Sequence, residues 1–373
     1  MTTHVFIVDE QSFKVHLEYM FVGTGSKDKD IDFNGTINSQ LHPQTENGLV
    51  AMMADFSRVR IGDYVIFYVQ ATKEKDGKFY GIYQIDSLPF YEPSGNNQYL
   101  LNDLGKNLTF RAKIKPYRVY EKGVTEWEAL DVIRSINSPC QMLWSLIYRK
   151  LKGNRGNTMI TIYEAERLFG LIRNNNILIT GNSYSYDGDR QIALDSQRLV
   201  YTGNQVAFDV LPRLLCKKRG NLAYEAHLQM FIAQNLGNHQ SLDRSLNISS
   251  LTLEWLGNEV SCGVGMQRID VMFSKRIDDI DREIVPIELK AVPASLDNIR
   301  QISRYIEWIE QYYVPNRPST IQPILICPAS NISNDIKQSF REFNAKYNGR
   351  CLPLEYIEFT DNGSDLIFTN TPY

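Results

Sequence analysis

Cysteine is scarce in this chain and scattered. The five in 373 residues (Cys140, Cys216, Cys262, Cys327 and Cys351) are odd in number and never spaced as Cys-x-x-Cys. That speaks against a zinc site and for free thiols in a reducing cytoplasm. The five histidines form no His-x-x-x-His pair. No run approaches the roughly 20 apolar residues of a membrane span. The opening MTTHVFIVDEQ lacks the basic flank and long apolar segment of a secretory signal. A cytoplasmic protein with no membrane partner is expected. No Gly-x-x-x-x-Gly-Lys-Ser/Thr loop occurs, so no nucleotide cofactor is expected either. A net charge of −3 gives no excess of one sign, so any nucleic-acid binding must rest on local basic patches.

What is present divides in two. The first ~90 residues read as strands and hairpins. RIGDYVIFYVQ (60–70) and KFYGIYQIDS (78–87) are β-rich, with Asp76-Gly77 as a hairpin signal between them and Gly62-Asp63 as a turn before the first. NLTFRAKIKPYRVY (107–120) is a further strand. Short helices fit 125–136 and 139–151, and a clearer one fits 161–173, where Thr161 and Glu164 make a capping box. Residues 174–215, rich in Asn, Ser and Gly, read as a connector with a small hairpin. From about 216 onward helices and strands alternate, which suggests an α/β core.

Four stretches of this second half carry chemistry. NLAYEAHLQMFIAQNL (221–236) reads as a helix with Glu225 in an apolar stripe of Leu222, Leu228, Ile232 and Leu236. An acid there costs stability unless something pairs with it. In GVGMQRIDVMF (263–273), Ile269, Val271 and Phe273 face one way and Asp270 the other. In EIVPIELKA (283–291), Glu288 and Lys290 share one strand face. Two acids on adjacent strands repel unless a cation sits between them, and Mg2+ held by one or two carboxylates plus water suits that geometry. In NIRQISRYIEWIEQYY (298–313), Gln301 and Tyr305 are one helical turn apart on one face.

The ordered set Glu225, Asp270, Glu288-x-Lys290 and Gln301-x-x-x-Tyr305 resembles the PD-(D/E)xK nuclease superfamily, particularly its RecB-like and NucS-like branches, over roughly residues 216–345. The resemblance implies a restriction-endonuclease-like mixed sheet flanked by helices. It also implies that Asp270 and Glu288 ligate Mg2+ (with Mn2+ able to substitute), Glu225 supports the metal, and Lys290 serves the attacking water. Gln301 and Tyr305 would shape the site. Two departures stand out: Ile269 replaces the motif's proline, and Pro286, which cannot donate to a ladder, suggests that its strand pairs fully only from Ile287 onward.

The stretches from Val59 to Glu92 are similar to PUA-like β-barrels of the EVE and YTH type, which implies a nucleic-acid reader over residues 1–175. Such readers often take a flipped, modified base into an aromatic pocket, for which Tyr68, Phe79, Tyr91, Trp127 and Trp144 are candidates. Arg149, Lys150, Lys152 and Arg155 in YRKLKGNRGNT, and Lys217, Lys218 and Arg219 in CKKRG, are candidate DNA contacts. The expected organisation is therefore reader (1–175), connector (176–215) and nuclease (216–373). The expected activity is a Mg2+-dependent DNA endonuclease of restriction or defence type acting on double-stranded DNA. One active site per chain means that a double-strand cut needs a homodimer or two sequential nicks. The alternatives are a sequence-specific restriction enzyme, a NucS-like repair nuclease or, in another class, an RNA-binding reader with a degenerate nuclease core.

Overall fold

A computed structural model describes residues 1–25, 43–92, 97–130, 156–187, 191–197, 199–249, 252–262, 267–316 and 319–373. Trp144, Arg149, Lys150, Lys152, Arg155 and the helix expected over 139–151 lie outside the described residues. The chain forms two units, Met1–Ile31 with Val59–Phe208, and Asp32–Arg58 with Asp209–Tyr373. No helix among the described residues is long and apolar enough to cross a membrane.

The first unit opens with β1 (Thr3–Val8), α1 (Glu10–Tyr19) and β2 (Phe21–Thr24); the next helix, α2 (Pro43–Ser57), belongs to the second unit. β3 (Tyr64–Val69), β4 (Lys78–Ile85), β5 (Phe110–Pro116) and β6 (Asn157–Ile160) complete the main path of a curled, eight-stranded mixed sheet in the order β2-β5-β4-β3-β1-β6. β1 and β3 run parallel, and the other neighbours on the path are antiparallel. The Gly62-Asp63 turn does more than reverse the chain. Gly62 adopts φ +90°, while the Asp63 carboxylate accepts from the Thr2 and Arg60 amides and contacts His4 Nε2 at 2.9 Å. One turn thereby fixes the start of β1 beside β3. The helix α3 (Ile162–Arg173) carries the expected capping box and packs Leu168 and Ile172 into a core with Val5, Ile66 and Ile160.

Residues 176–208 are not a connector. The expected hairpin forms (Tyr184–Tyr186 with Ile192–Leu194), and Tyr184, Ile192 and Tyr201 are buried. Tyr201 explains why this stretch stays with the first unit. Its hydroxyl donates to Glu92 Oε2 (2.7 Å) and accepts from the buried Arg111 (3.0 Å), whose guanidinium also donates to Gln98 and the Tyr99 carbonyl. A buried arginine is tolerated only with its donors satisfied, and Tyr201 supplies one acceptor.

The second unit adds α4 (Leu211–Arg219), α5 (Glu225–Asn235), β7 (Leu253–Ser261), β8 (Arg268–Arg276), β9 (Arg282–Leu289), α6 (Leu296–Tyr312), β10 (Ser319–Ile321), β11 (Ile324–Pro328), α7 (Asn334–Lys346), β12 (Glu355–Asp361) and β13 (Leu366–Asn370). The sheet order is β7-β8-β9-β11-β12-β13, with β10 beside β9. β7, β8 and β9 form an antiparallel meander, whereas β9 and β11 are parallel. A parallel neighbour requires a crossover, and α6 supplies it, burying Ile302, Tyr305, Ile306 and Ile309. α2 enters this unit because Asp55 and Arg58, both buried, bond each other and Asn258 of β7. A sequence boundary at residue 175 could not show that exchange.

Pro286 sits in full register opposite Met272, so pairing with β8 begins at Arg282 rather than at Ile287. The break falls on the other side: β10 pairs with residues 282–284 and β11 with 287–289, leaving Val285 and Pro286 in the gap. The proline has its missing donor where no ladder bond is lost.

Candidate active site

Asp270 and Glu288 lie opposite each other where β8 and β9 part. The last ladder pair is Val271 with Ile287. One step further the Asp270 side chain takes over, its Oδ2 accepting from the Leu289 amide at 2.8 Å. Register places both carboxylates on one face. Glu288 is fully buried. Its Oε2 accepts from the Tyr305 hydroxyl at 2.5 Å. Its Oε1 takes no well-directed hydrogen bond, although Lys290 Nζ stands 2.7 Å away. Lys290 continues the ladder to Ile326 and reaches Glu225 Oε1 at 3.5 Å.

Burial and the facing Glu288 carboxylate push Asp270 well above the usual carboxylate range, despite the Leu289 amide. Burial also raises Glu288, against the opposing pull of Lys290 and Tyr305. Burial alone would lower Lys290, but Glu288 with Asp270 and Glu225 outweighs it and holds the ammonium charged. Lys290 is therefore a donor at neutral pH, suited to orienting a water or stabilising an anion rather than to removing a proton.

The structure thus brings Asp270, Glu288, Lys290 and Tyr305 together. Glu225 stands at the rim, half exposed in the first turn of α5, with its carboxylate toward Lys290 and the Ala291 amide. The apolar stripe expected around it is incomplete, since Leu222 precedes the helix and is exposed. Gln301 lies one turn before Tyr305, half-buried, its side chain making no hydrogen bond to a described residue. Among the described residues no group of three or more His, Cys, Asp or Glu side chains converges as a ready-made metal cage. Two mutually repelling oxygen donors nonetheless fit a cation that keeps several waters.

Tyr305→Phe should cost about 1–2 kcal/mol in urea denaturation, because the buried Glu288 carboxylate loses its hydroxyl donor. An unchanged midpoint would show that this hydroxyl does not anchor the site.

The other expected contacts fare differently. Lys217 is buried within α4 and is no surface phosphate contact. Lys218 lies 3.9 Å from Asp361, and Arg219 donates to Asp361 and to the Gly363 carbonyl, so both are tied down within their own unit. Tyr68, Phe79 and Tyr91 are buried in the core of the first unit. A central strand buries both faces, so aromatic content there signals packing. Trp127 is exposed and donates to Asp76. Tyr64, Tyr117, Tyr120 and Phe169 line a cleft of about 240 Å3, with Arg118 and Arg173 on its walls. Tyr64 and Tyr117 have centroids 5.1 Å apart, and the Arg118 guanidinium lies over Tyr117 at 5.5 Å. The signal available in the sequence was Tyr117-Arg118, next to the proline that ends β5.

No family model matches the chain, and no curated protein matches it in sequence. Solved structures give loose likenesses. A hypothetical protein from Leishmania major has 12% identity and a TM-score of 0.28, covering 45% of this chain and 92% of that one. Human THYN1 protein in complex with 5-methylcytosine-containing DNA has 10% identity and a TM-score of 0.27, covering 47% and 99%. The DUF55 domain of human thymocyte nuclear protein 1 has 9% identity and a TM-score of 0.26, covering 46% and 99%. Likenesses this loose leave function to the geometry.

Proposed function

We propose that the chain is a Mg2+-dependent DNA endonuclease of restriction or defence type, with PUA-like reading of a modified base in the first unit and PD-(D/E)xK-type cleavage in the second. The observation that carries the reading is the facing of Asp270 and Glu288 at the parting of two strands, with the Lys290 ammonium 2.7 Å from Glu288. Asp270 and Glu288 would hold the metal. Bound there, Mg2+ would acidify a water and neutralise charge on a phosphodiester. Lys290 would hold a water and stabilise the negative charge that builds on phosphorus. Glu225 keeps Lys290 in place, and Tyr305 keeps Glu288 turned inward.

For the reader, the cleft beside Tyr117 supports stacking of an unpaired base, with Arg118 available to a phosphate. Base–aromatic stacking is worth about 1–3 kcal/mol. Tyr117→Ala should therefore weaken binding to a modified duplex roughly tenfold or more, with thermal stability little changed for an exposed side chain. Phe79→Ala should instead cost about 3–5 kcal/mol of stability, as a core truncation does. The test is a binding and cleavage panel of methylated and plain duplex DNA, single strands and RNA. Equal binding of modified and plain duplexes by wild type at every salt concentration would remove modified-base reading and favour a sequence-specific enzyme. Binding and cleavage of RNA alone would remove the DNA assignment.

A further inference from the structure

Glu259 is a non-glycine residue with φ +51° inside β7, a left-handed conformation that costs about 1 kcal/mol or more. It sits at the register position across from Asp270, because Asn258 pairs with Val271 and Val260 with Ile269. Its carboxylate is engaged on both oxygens. Oε2 lies 2.5 Å from Arg268 Nη1, and Oε1 accepts from Gln229 Nε2 at 3.4 Å. The same Gln229 nitrogen lies 2.8 Å from the Asp270 carbonyl, so the left-handed residue of β7 is tied to the strand that carries the acid.

Arg268 precedes Asp270 by two residues and shares its strand face. Its carbonyl lies 2.9 Å from the Tyr305 hydroxyl, the group that also bonds Glu288. Its side chain is 33% exposed. A guanidinium has five N–H donors. Among the described residues one of them is used, by Glu259, which leaves the rest of the fork for a ligand. The strained Glu259 holds the cation on the strand that carries Asp270.

We propose that Arg268 is a phosphate-binding residue of this centre, taking a non-bridging oxygen of a backbone phosphate on the strand being cut while Glu259 and Gln229 aim its guanidinium. The inference rests on the nuclease reading of the same site. An arginine fork binds phosphate oxygens in pairs, and one such contact contributes about 0.9 to the slope of log affinity against log salt.

The test is binding of the full chain to duplex DNA in EDTA across a potassium chloride series, so that cleavage plays no part. Arg268→Ala should weaken binding and lower the slope by about 0.9. Arg268→Lys should keep the slope, since the charge remains. Glu259→Gln should tighten binding by removing a carboxylate beside the phosphate. Arg268→Gln serves if circular dichroism shows the alanine variant unfolded. Wild-type affinity and slope in the alanine or glutamine variant would overturn the proposal, as would a lysine variant that loses the slope as fully as alanine. A wild type that shows this slope contribution but never cuts in Mg2+ would sink the nuclease reading and leave the phosphate contact standing. A wild type that binds no duplex would overturn both.

Discussion

Asp270→Ala, Glu288→Ala and Lys290→Ala should each reduce cleavage by roughly a thousandfold or more while leaving DNA affinity in Ca2+ nearly intact. The three groups would act on the metal, the water and the charge that develops in the transition state, and contribute little to holding the duplex. Glu288→Ala carries a second cost. It removes the 2.7 Å partner of the Lys290 ammonium, leaving Glu225 at 3.5 Å, so a loss of stability accompanies the loss of cleavage. Its cleavage defect should therefore be compared with that of Glu288→Gln, which keeps an acceptor for Tyr305. Glu225→Gln should be the mildest of the series, because Glu225 stands at the rim and touches Lys290 at 3.5 Å. A triple variant that cut at the wild-type rate would place the active site elsewhere.

The second large effect is a pH-dependent stabilisation by metal. Burial and Glu288 raise the Asp270 carboxyl above its ordinary value in the folded chain. The folded state then binds a proton that the unfolded state has released. Without metal, stability from this group is present at low pH and is lost as pH rises from the ordinary carboxylate range through the raised folded value, by about 1.4 kcal/mol for each pH unit between the two. Mg2+ bound there would compete with that proton, so its stabilising effect should be small near pH 5 and grow as the carboxyl ionises. Asp270→Asn keeps an acceptor for the Leu289 amide and removes the charge that faces Glu288. It should melt higher than wild type at pH 8 in EDTA and show no Mg2+ shift. A wild-type shift equal at pH 5 and pH 8, or retained in Asp270→Asn, would detach the metal from this carboxylate.

Much of the candidate site was legible because its chemistry conflicts with its local setting. An aspartate inside β8 and a glutamate and lysine at the end of β9 are poor choices for a buried sheet unless they act together, and strand alternation alone puts them on one face. Tyr305 was visible by helical spacing. Glu259 was not, because its role depends on a left-handed backbone and on register with β8, neither of which a single strand's pattern encodes. In the first unit burial was not legible: Tyr68 and Phe79, candidate pocket rings in sequence, are buried in the core, whereas Tyr117 lines a cleft. Lys217 shows the same limit, a basic residue in a basic run that points inward. The exchange of α2 between units rests on Asp55, Arg58 and Asn258, residues some 200 positions apart that no local pattern joins.

The most direct test of a metal-dependent phosphodiesterase centre at Asp270 and Glu288 is nicking of supercoiled plasmid, modified and unmodified, by the wild-type chain in Mg2+, Ca2+ and EDTA, with Asp270→Asn alongside. The predicted result is nicking or linearisation in Mg2+ alone, binding without cleavage in Ca2+, and no cleavage by Asp270→Asn in any condition. Full cleavage in EDTA, or wild-type cleavage by Asp270→Asn, would contradict it.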